Sequence, residues 1–233
     1  MITKALSPTL DMIGKMLENK EPHEKIQQFL NQVQPSLYRT ALKGDIISCT
    51  GCGLHACRHT LFTGSFDSDI MFVGEAPGEQ EEKSGQPFVG PAGELFTKML
   101  SALAEKVNER WARENVYITN TIKCRPTDAK KSNRQPEMKE IAACKPTLDN
   151  EIRLVNPKII ICVGATAANT LIHPGFKITE EHGRMFGDTC KLVAIYHPSF
   201  VLHKGEETEE GLDLKMDMWN DLIAINEYLD SLA

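Results

Sequence analysis

A chain of 233 residues, 41% hydrophobic and 25% charged, has the composition of a globular protein that fills one α/β domain with an added end. Its formal net charge of −6 runs against a uniformly basic, nucleic-acid-binding surface. Seven cysteines, an odd number, argue against a secreted disulfide framework. In chain order, the segment MITKALSPTLDMIGKML has no uninterrupted apolar core and no small-residue cleavage site, so it does not read as a signal peptide. Residues 1–48 read as helical pieces. Ser7-Pro8 and Glu21-Pro22 put proline where helices start, and Ile26, Phe29, Leu30 and Val33 form one apolar stripe. After Cys49, strands over 70–73, 116–119, 158–163 and 192–196 alternate with helices over 91–104, 136–155, 165–171 and 212–229. No stretch approaches the roughly 20 apolar residues that span a bilayer.

Four apolar strands separated by helices predict a three-layer α/β/α sandwich around a four-stranded parallel sheet. Residues 1–48 form a helical N-terminal extension and 49–233 the main domain. In such folds ligands bind outside the carboxyl ends of the strands. The segments that follow those ends, GEAPGEQEE, NTIKCRP, GATAAN and HPSFVLHKG, gather polar and glycine-rich residues there.

Cys49 and Cys52 form a C-x-x-C, which suits a redox pair, half a zinc site or half an iron–sulfur site. Cys124, past a strand end, and Cys144, in the helix that follows, complete an all-thiolate quartet suited to Zn²⁺ or an Fe–S cluster. The plain alternative is that these two are small buried residues. Cys57 is the weaker ligand candidate, Cys162 reads as core, and Cys190 has no visible partner in the sequence.

Several segments together resemble the iron–sulfur, family 4 branch of the uracil-DNA glycosylases. They are C-x-x-C-G-L then Arg58, Gly74-Glu75-Ala76-Pro77-Gly78, and 84–90 (SGQPFVG). Tyr117-Ile118-Thr119-Asn120, Lys123-Cys124-Arg125-Pro126, Asn133-Arg134-x-Pro136 with Glu140 and Cys144, and His197-Pro198-Ser199 complete the set. They run in the family's order over roughly two-thirds of the chain. The stretch between Cys124 and Asn133 is a few residues longer than usual. The resemblance implies a monofunctional DNA-repair glycosylase of base excision repair, with uracil-containing single- or double-stranded DNA as its substrate. It also implies a [4Fe–4S] cluster held by Cys49, Cys52, Cys124 and Cys144. The expected setting is the cytoplasm, for a prokaryotic or virus-encoded protein, and the expected form a monomer without membrane contact.

The same resemblance assigns roles residue by residue. Glu75 positions or activates the attacking water and His197 donates to O2 of the leaving base. Gly74, Ala76, Glu81, Phe88 and Asn120 line the uracil, with Phe88 as its stacking face and Asn120 reading its N3–H and O4. Ala76 stands where the better-known branch of the superfamily has an aspartate. Separately from the resemblance, Gly78 leaves room near the base's C5 edge, and Glu81 is the candidate to fill it. Taken singly, Phe88 reads equally as core, Asn120 as a turn former and His197-Pro198 as a turn. Ser199, Phe200, Val201 and Leu202 read either as a loop tip that wedges into DNA or as the start of a buried helix. Residues 123–139 hold six Lys/Arg and two acids. Lys123, Arg125, Lys130, Lys131 and Arg134 are therefore candidate phosphate contacts, with Arg184, unless they form an exposed charged face. Most of the negative charge sits in 205–217, which has six acids and one lysine. Two other readings keep the fold and change the role. One is a non-catalytic binder of uracil or abasic DNA; the other is a zinc-stabilised module that recruits replication or repair proteins through residues 1–48.

Overall fold

In the computed structural model, residues 12, 15, 16, 18, 19, 21–56 and 59–232 are described. The predicted helix start at Ser7-Pro8, the side chains of Ile26, Phe29, Leu30 and Val33, and residues Cys57 and Arg58 lie outside the described residues. The chain divides into two compact units, Met1–Cys49 and Thr50–Ala233. In the first, helix α1 (His23–Ile47) follows Pro22. Ser48 closes its last turn, donating from its N–H and its hydroxyl to the Gly44 carbonyl at 3.0 and 2.8 Å.

The second unit is built on a sheet of five strands: β1 (Thr63–Gly64), β2 (Ile70–Gly74), β3 (Tyr117–Asn120), β4 (Ile159–Val163) and β5 (Lys191–Ile195), in the order β1-β3-β2-β4-β5. The four expected strands are all parallel neighbours. The fifth corrects the expected count of four. β1 is a two-residue edge strand, antiparallel to β3, with Thr63 opposite Ile118 and Gly64 opposite Tyr117. Two residues are too few to show an alternating pattern.

The connecting helices are α2 (Glu79–Ser84), α3 (Pro91–Lys106), α4 (Met138–Val155), α5 (Ala165–Leu171), α6 (Ile178–Glu181), α7 (Pro198–Lys204) and α8 (Glu209–Asp230). Proline opens α3 at its first turn, where a missing N–H costs nothing. α4 begins at Met138, two residues later than expected, because Glu140 folds back to accept from the Glu137 N–H at 2.7 Å and so sets the cap.

Register puts Phe72 opposite Ile118 on one side and Ile161 on the other, and Ile161 opposite Val193. These side chains share one core with Phe96, Leu100 and Leu103 of α3, Trp111, and Leu214, Met218, Leu222 and Ile225 of α8. Each such side chain, fully buried, contributes about 1.5–3 kcal/mol. Trp111 brings a polar atom into this core and satisfies it, its ring N–H donating to Asn226 at 3.0 Å.

Alternate strand residues face the other way, and there the core is not wholly apolar. The Lys123 ammonium is 2% exposed and donates to Glu151 (2.5 Å), to the Thr119 hydroxyl (2.5 Å) and to the Asn120 carbonyl (2.7 Å). Glu151, on α4 and 0% exposed, also accepts from Tyr117 at 3.2 Å and Thr119 at 3.0 Å. All three ammonium protons are thereby used, which is the condition for a buried ion pair to be tolerated. The network fastens the end of β3 to α4 and fixes the chain just before Cys124.

Removing one partner leaves an uncompensated buried charge. Glu151→Ala is expected to destabilise the protein by about 3–5 kcal/mol, read as a drop in denaturant midpoint. The double change Lys123→Met with Glu151→Leu is expected to recover most of that loss. A single-variant loss below about 1 kcal/mol would contradict the assignment.

Candidate active site at the carboxyl ends of the strands

The parallel strands all point their carboxyl ends at one cleft of about 710 Å³. Glu75 and Ala76 enter it from the end of β2, Asn120 from β3, Gly164 and Thr166 from β4, and Tyr196 and His197 from β5. Glu81 of α2 and Phe88 of the loop between α2 and α3 close a further wall. The residues read from sequence as catalytic and base-lining, apart from Gly74, all line this cleft. Gly74 lies directly behind it: a Cβ there would stand 2.4 Å from the Asn120 side-chain oxygen and 2.6 Å from the Phe88 ring. Only glycine lets those two side chains converge.

His197 caps the N-terminus of α7. Its Nδ1 accepts from the Ser199 N–H at 3.1 Å and also bonds the Ser199 hydroxyl at 2.7 Å. A backbone N–H is always a donor, so Nδ1 is an acceptor and the ring hydrogen sits on Nε2. Burial pushes the pKa of His197 down to about 4, with Glu81 opposing the shift. The imidazole is therefore neutral at pH 7 and offers one N–H. Asn120 is 4% exposed. Its backbone carbonyl is held by Lys123, while its side-chain amide has no hydrogen-bond partner among the described residues. Glu75 is half-buried, and one of its carboxylate oxygens accepts a hydrogen bond from the Thr166 hydroxyl. The other faces no described donor.

Phe88 is buried at 7% exposure, and its φ is +53°, in the left-handed region. For a bulky residue that costs on the order of 1–3 kcal/mol. Its ring packs against Phe96 at 4.8 Å and lies 6.0 Å from the His197 ring, the two planes 29° apart. Glu81 lines the cleft, but its carboxylate is engaged: it accepts from the N–H groups of Gly78 (3.1 Å), Val89 (2.9 Å) and Gly90 (2.7 Å). Its observed work is to join the loop after β2 to the loop that carries Phe88.

The expected phosphate contacts divide. Lys130, Lys131 and Arg184 are exposed. Lys123 is corrected: it is locked in the buried ion pair and cannot reach a phosphate. Arg125 is an internal strut, 11% exposed, bonded to Asn133 (2.7 Å) and Glu82 (3.2 Å). Arg134 lies on the cleft rim and makes a bidentate pair with Glu140 at 2.9 and 2.6 Å. The expected wedge is also partly corrected. Phe200 to Leu202 belong to α7, with Val201 0% exposed in the core and Leu202 half-buried. Phe200 is 37% exposed, stacked on Tyr196 at 5.9 Å with the Lys204 ammonium 5.6 Å over its ring.

Cys52 lies half-buried in a turn, Cys124 is buried, and Cys144 is half-buried on α4; Cys49 ends the first unit. Among the described residues, no group of three or more His, Cys, Asp or Glu side chains is gathered as a metal site. Cys162 is core, and burial pushes its thiol pKa up. Thr166, Tyr196 and the Nδ1 partnership of Ser199 were not read from sequence. A threonine in the first turn of a helix has no local signal, and only the sheet order brings β4 beside β2. No described helix is long and apolar enough to cross a membrane.

The family model described as the uracil DNA glycosylase superfamily matches residues 62–223. The type-4 uracil-DNA glycosylase of Sulfurisphaera tokodaii is 45% identical over 173 residues, covering 70% of this chain and 74% of the relative. That of Thermotoga maritima is 39% identical over 66% of this chain and 78% of its own, and that of Archaeoglobus fulgidus 36% identical over 71% and 84%.

The neutral state of His197 sets a pH dependence. Its folded pKa of about 4 lies below the ordinary 6.5. As pH falls through that window the unfolded chain takes up the proton first, so stability declines on acidification. The loss tends to about 3 kcal/mol at the acid end. His197→Gln is expected to flatten this part of the stability–pH curve between pH 6.5 and 4; an unchanged slope would contradict the buried neutral imidazole.

Proposed function

The chain belongs to the uracil DNA glycosylase superfamily, and from that premise we propose that it excises uracil from DNA, hydrolysing the N-glycosidic bond to leave an abasic site for base excision repair. One observation carries the reading: the Asn120 amide, without a hydrogen-bond partner among the described residues, and a neutral N–H donor, His197, face the same cleft beside the buried ring of Phe88.

Each group then has a physical task. The uracil leaves the base stack and enters the cleft, where Phe88 gives it a face. The Asn120 amide has one acceptor and one donor, which match N3–H and O4 of uracil and mismatch the donor–acceptor order of cytosine. As the glycosidic bond breaks, negative charge gathers on the base, and the Nε2–H of His197 stabilises it at O2. A neutral donor suits this step, since Ser199 already fixes the tautomer. Glu75, with one oxygen tied to Thr166, has the other free to orient a water toward the sugar carbon. Lys130, Lys131 and Arg184, exposed at the surface, hold the phosphates. Phe200 is the apolar side chain exposed enough to press into the space the base vacates.

We further infer a [4Fe–4S] cluster on Cys49, Cys52, Cys124 and Cys144. The all-thiolate donor set suits iron–sulfur, and the motif resemblance to the iron–sulfur branch supports it. When bound, the cluster would cross-link the segment before β1 to the loop after β3, a structural task.

Incubating the protein with a uracil-containing oligonucleotide and then alkali is expected to break the strand at the uracil; no breakage with the cluster intact would refute the reading. Asn120→Ala and His197→Ala are each expected to lower cleavage about 10²–10³-fold with the fold retained. Thr166→Val is expected to cost about tenfold in kcat with KM unchanged, and Thr166→Ser to restore it. For the metal, Cys124→Ala is expected to abolish stoichiometric iron and sulfide; a colourless wild type with one zinc would contradict the cluster.

A further inference from the structure

The peptide groups on either side of Phe88 are held by charges of opposite sign. On the N-terminal side, the Pro87 carbonyl accepts from the Arg113 guanidinium at 2.7 Å. The same guanidinium donates to the Thr97 hydroxyl of α3 at 2.9 Å, and that hydroxyl donates to the Gly93 carbonyl at 2.8 Å. On the C-terminal side, the Glu81 carboxylate accepts from the N–H groups of Val89 and Gly90. Between these clamps sits the left-handed backbone of Phe88. The start of α3 is shaped to receive it: a Cβ on Gly93 would lie 2.1 Å from the Phe88 carbonyl carbon.

Arg113 is an unusual residue to use as a loop anchor. It is half-buried, burial lowers its pKa with the Glu81 charge partly opposing, and among the described residues no carboxylate lies within ion-pair distance. A charge kept at that cost, donating to the carbonyl next to a strained aromatic in the cleft, points to a task beyond holding a loop.

We propose that Arg113 is a positioning residue for base recognition: acting through Pro87, and opposed by Glu81 across the loop, it fixes the Phe88 ring as a rigid face for uracil. The inference rests on the uracil-excision reading above. A face ordered before the base arrives removes an ordering cost from binding rather than from the chemical step. Loss of Arg113 therefore shows in affinity, not in turnover.

The test compares inhibition by free uracil with kcat and KM on a uracil-containing oligonucleotide, at a temperature well below the Tm of every variant. Arg113→Met is expected to raise the uracil inhibition constant and KM about tenfold, with kcat within about threefold. Arg113→Lys, which lacks the fork needed to bond Pro87 and Thr97 together, is expected to recover less than half of the loss. In a Phe88→Ala background, Arg113→Met is expected to leave the inhibition constant unchanged, because nothing is left to position. If Arg113→Met does not fold, Thr97→Val carries the test, with an expected rise of about threefold. A fall in Tm with an unchanged uracil inhibition constant would overturn the proposal, as would an equal effect of Arg113→Met with and without the Phe88 ring. A wild type inert toward uracil-DNA overturns the underlying reading and this inference with it; an active wild type with indifferent Arg113 variants overturns this inference alone.

Discussion

The Glu81 carboxylate accepts three backbone N–H bonds from the two loops on either side of α2. Gly78 belongs to the loop leaving β2, and Val89 and Gly90 to the loop entering α3. Charge-assisted hydrogen bonds of this kind are about twice as strong as neutral ones, so the carboxylate sets the spacing between the strand that carries Glu75 and the segment that carries Phe88. The left-handed backbone of Phe88 persists because this anchor and its surroundings over-determine it. Without that fixed wall, the groups at the other strand ends would have no common ligand.

A second buried charge does comparable work beneath the cleft. Lys123 and Glu151 tie the end of β3 to α4, and the Asn120 carbonyl is one of the ammonium's acceptors. The amide of Asn120 thus projects from a main chain that cannot shift. The charge that sequence reading assigned to DNA is, in this instance, the one that holds the backbone of Asn120. Arg125 and Arg134 likewise engage Glu82 and Glu140. The cationic surface left for phosphates is therefore smaller than the six Lys/Arg of 123–139 suggest, in keeping with a net charge of −6.

Much of this was legible in the sequence because parallel strands buried on both faces are continuous apolar runs. Ile70 to Val73 and Ile159 to Val163 announce themselves, and the polar residues that follow them fall at the cleft by topology alone. Glu75, Asn120, Phe88 and His197 were found in this way and by resemblance. What stayed hidden has a common cause. β1 has two residues and no period; Val201 sits in a segment that reads equally as loop tip or helix. Lys123, Glu81 and Thr166 take their roles from partners 28, 9 and 91 positions away. Sequence shows residue type and local rhythm, and a long-range hydrogen bond leaves no trace in either.

On the proposed function, the side-chain amide of Asn120 and the Nε2–H of His197 are donors to one planar base in one cleft. The most direct measurement is nitrogen–hydrogen NMR of those two side chains during titration with free uracil. Both resonances are predicted to shift together in a saturable way with uracil, and to stay unmoved with cytosine. Saturable binding that leaves both signals unchanged, or that shifts them equally for the two bases, would contradict the account.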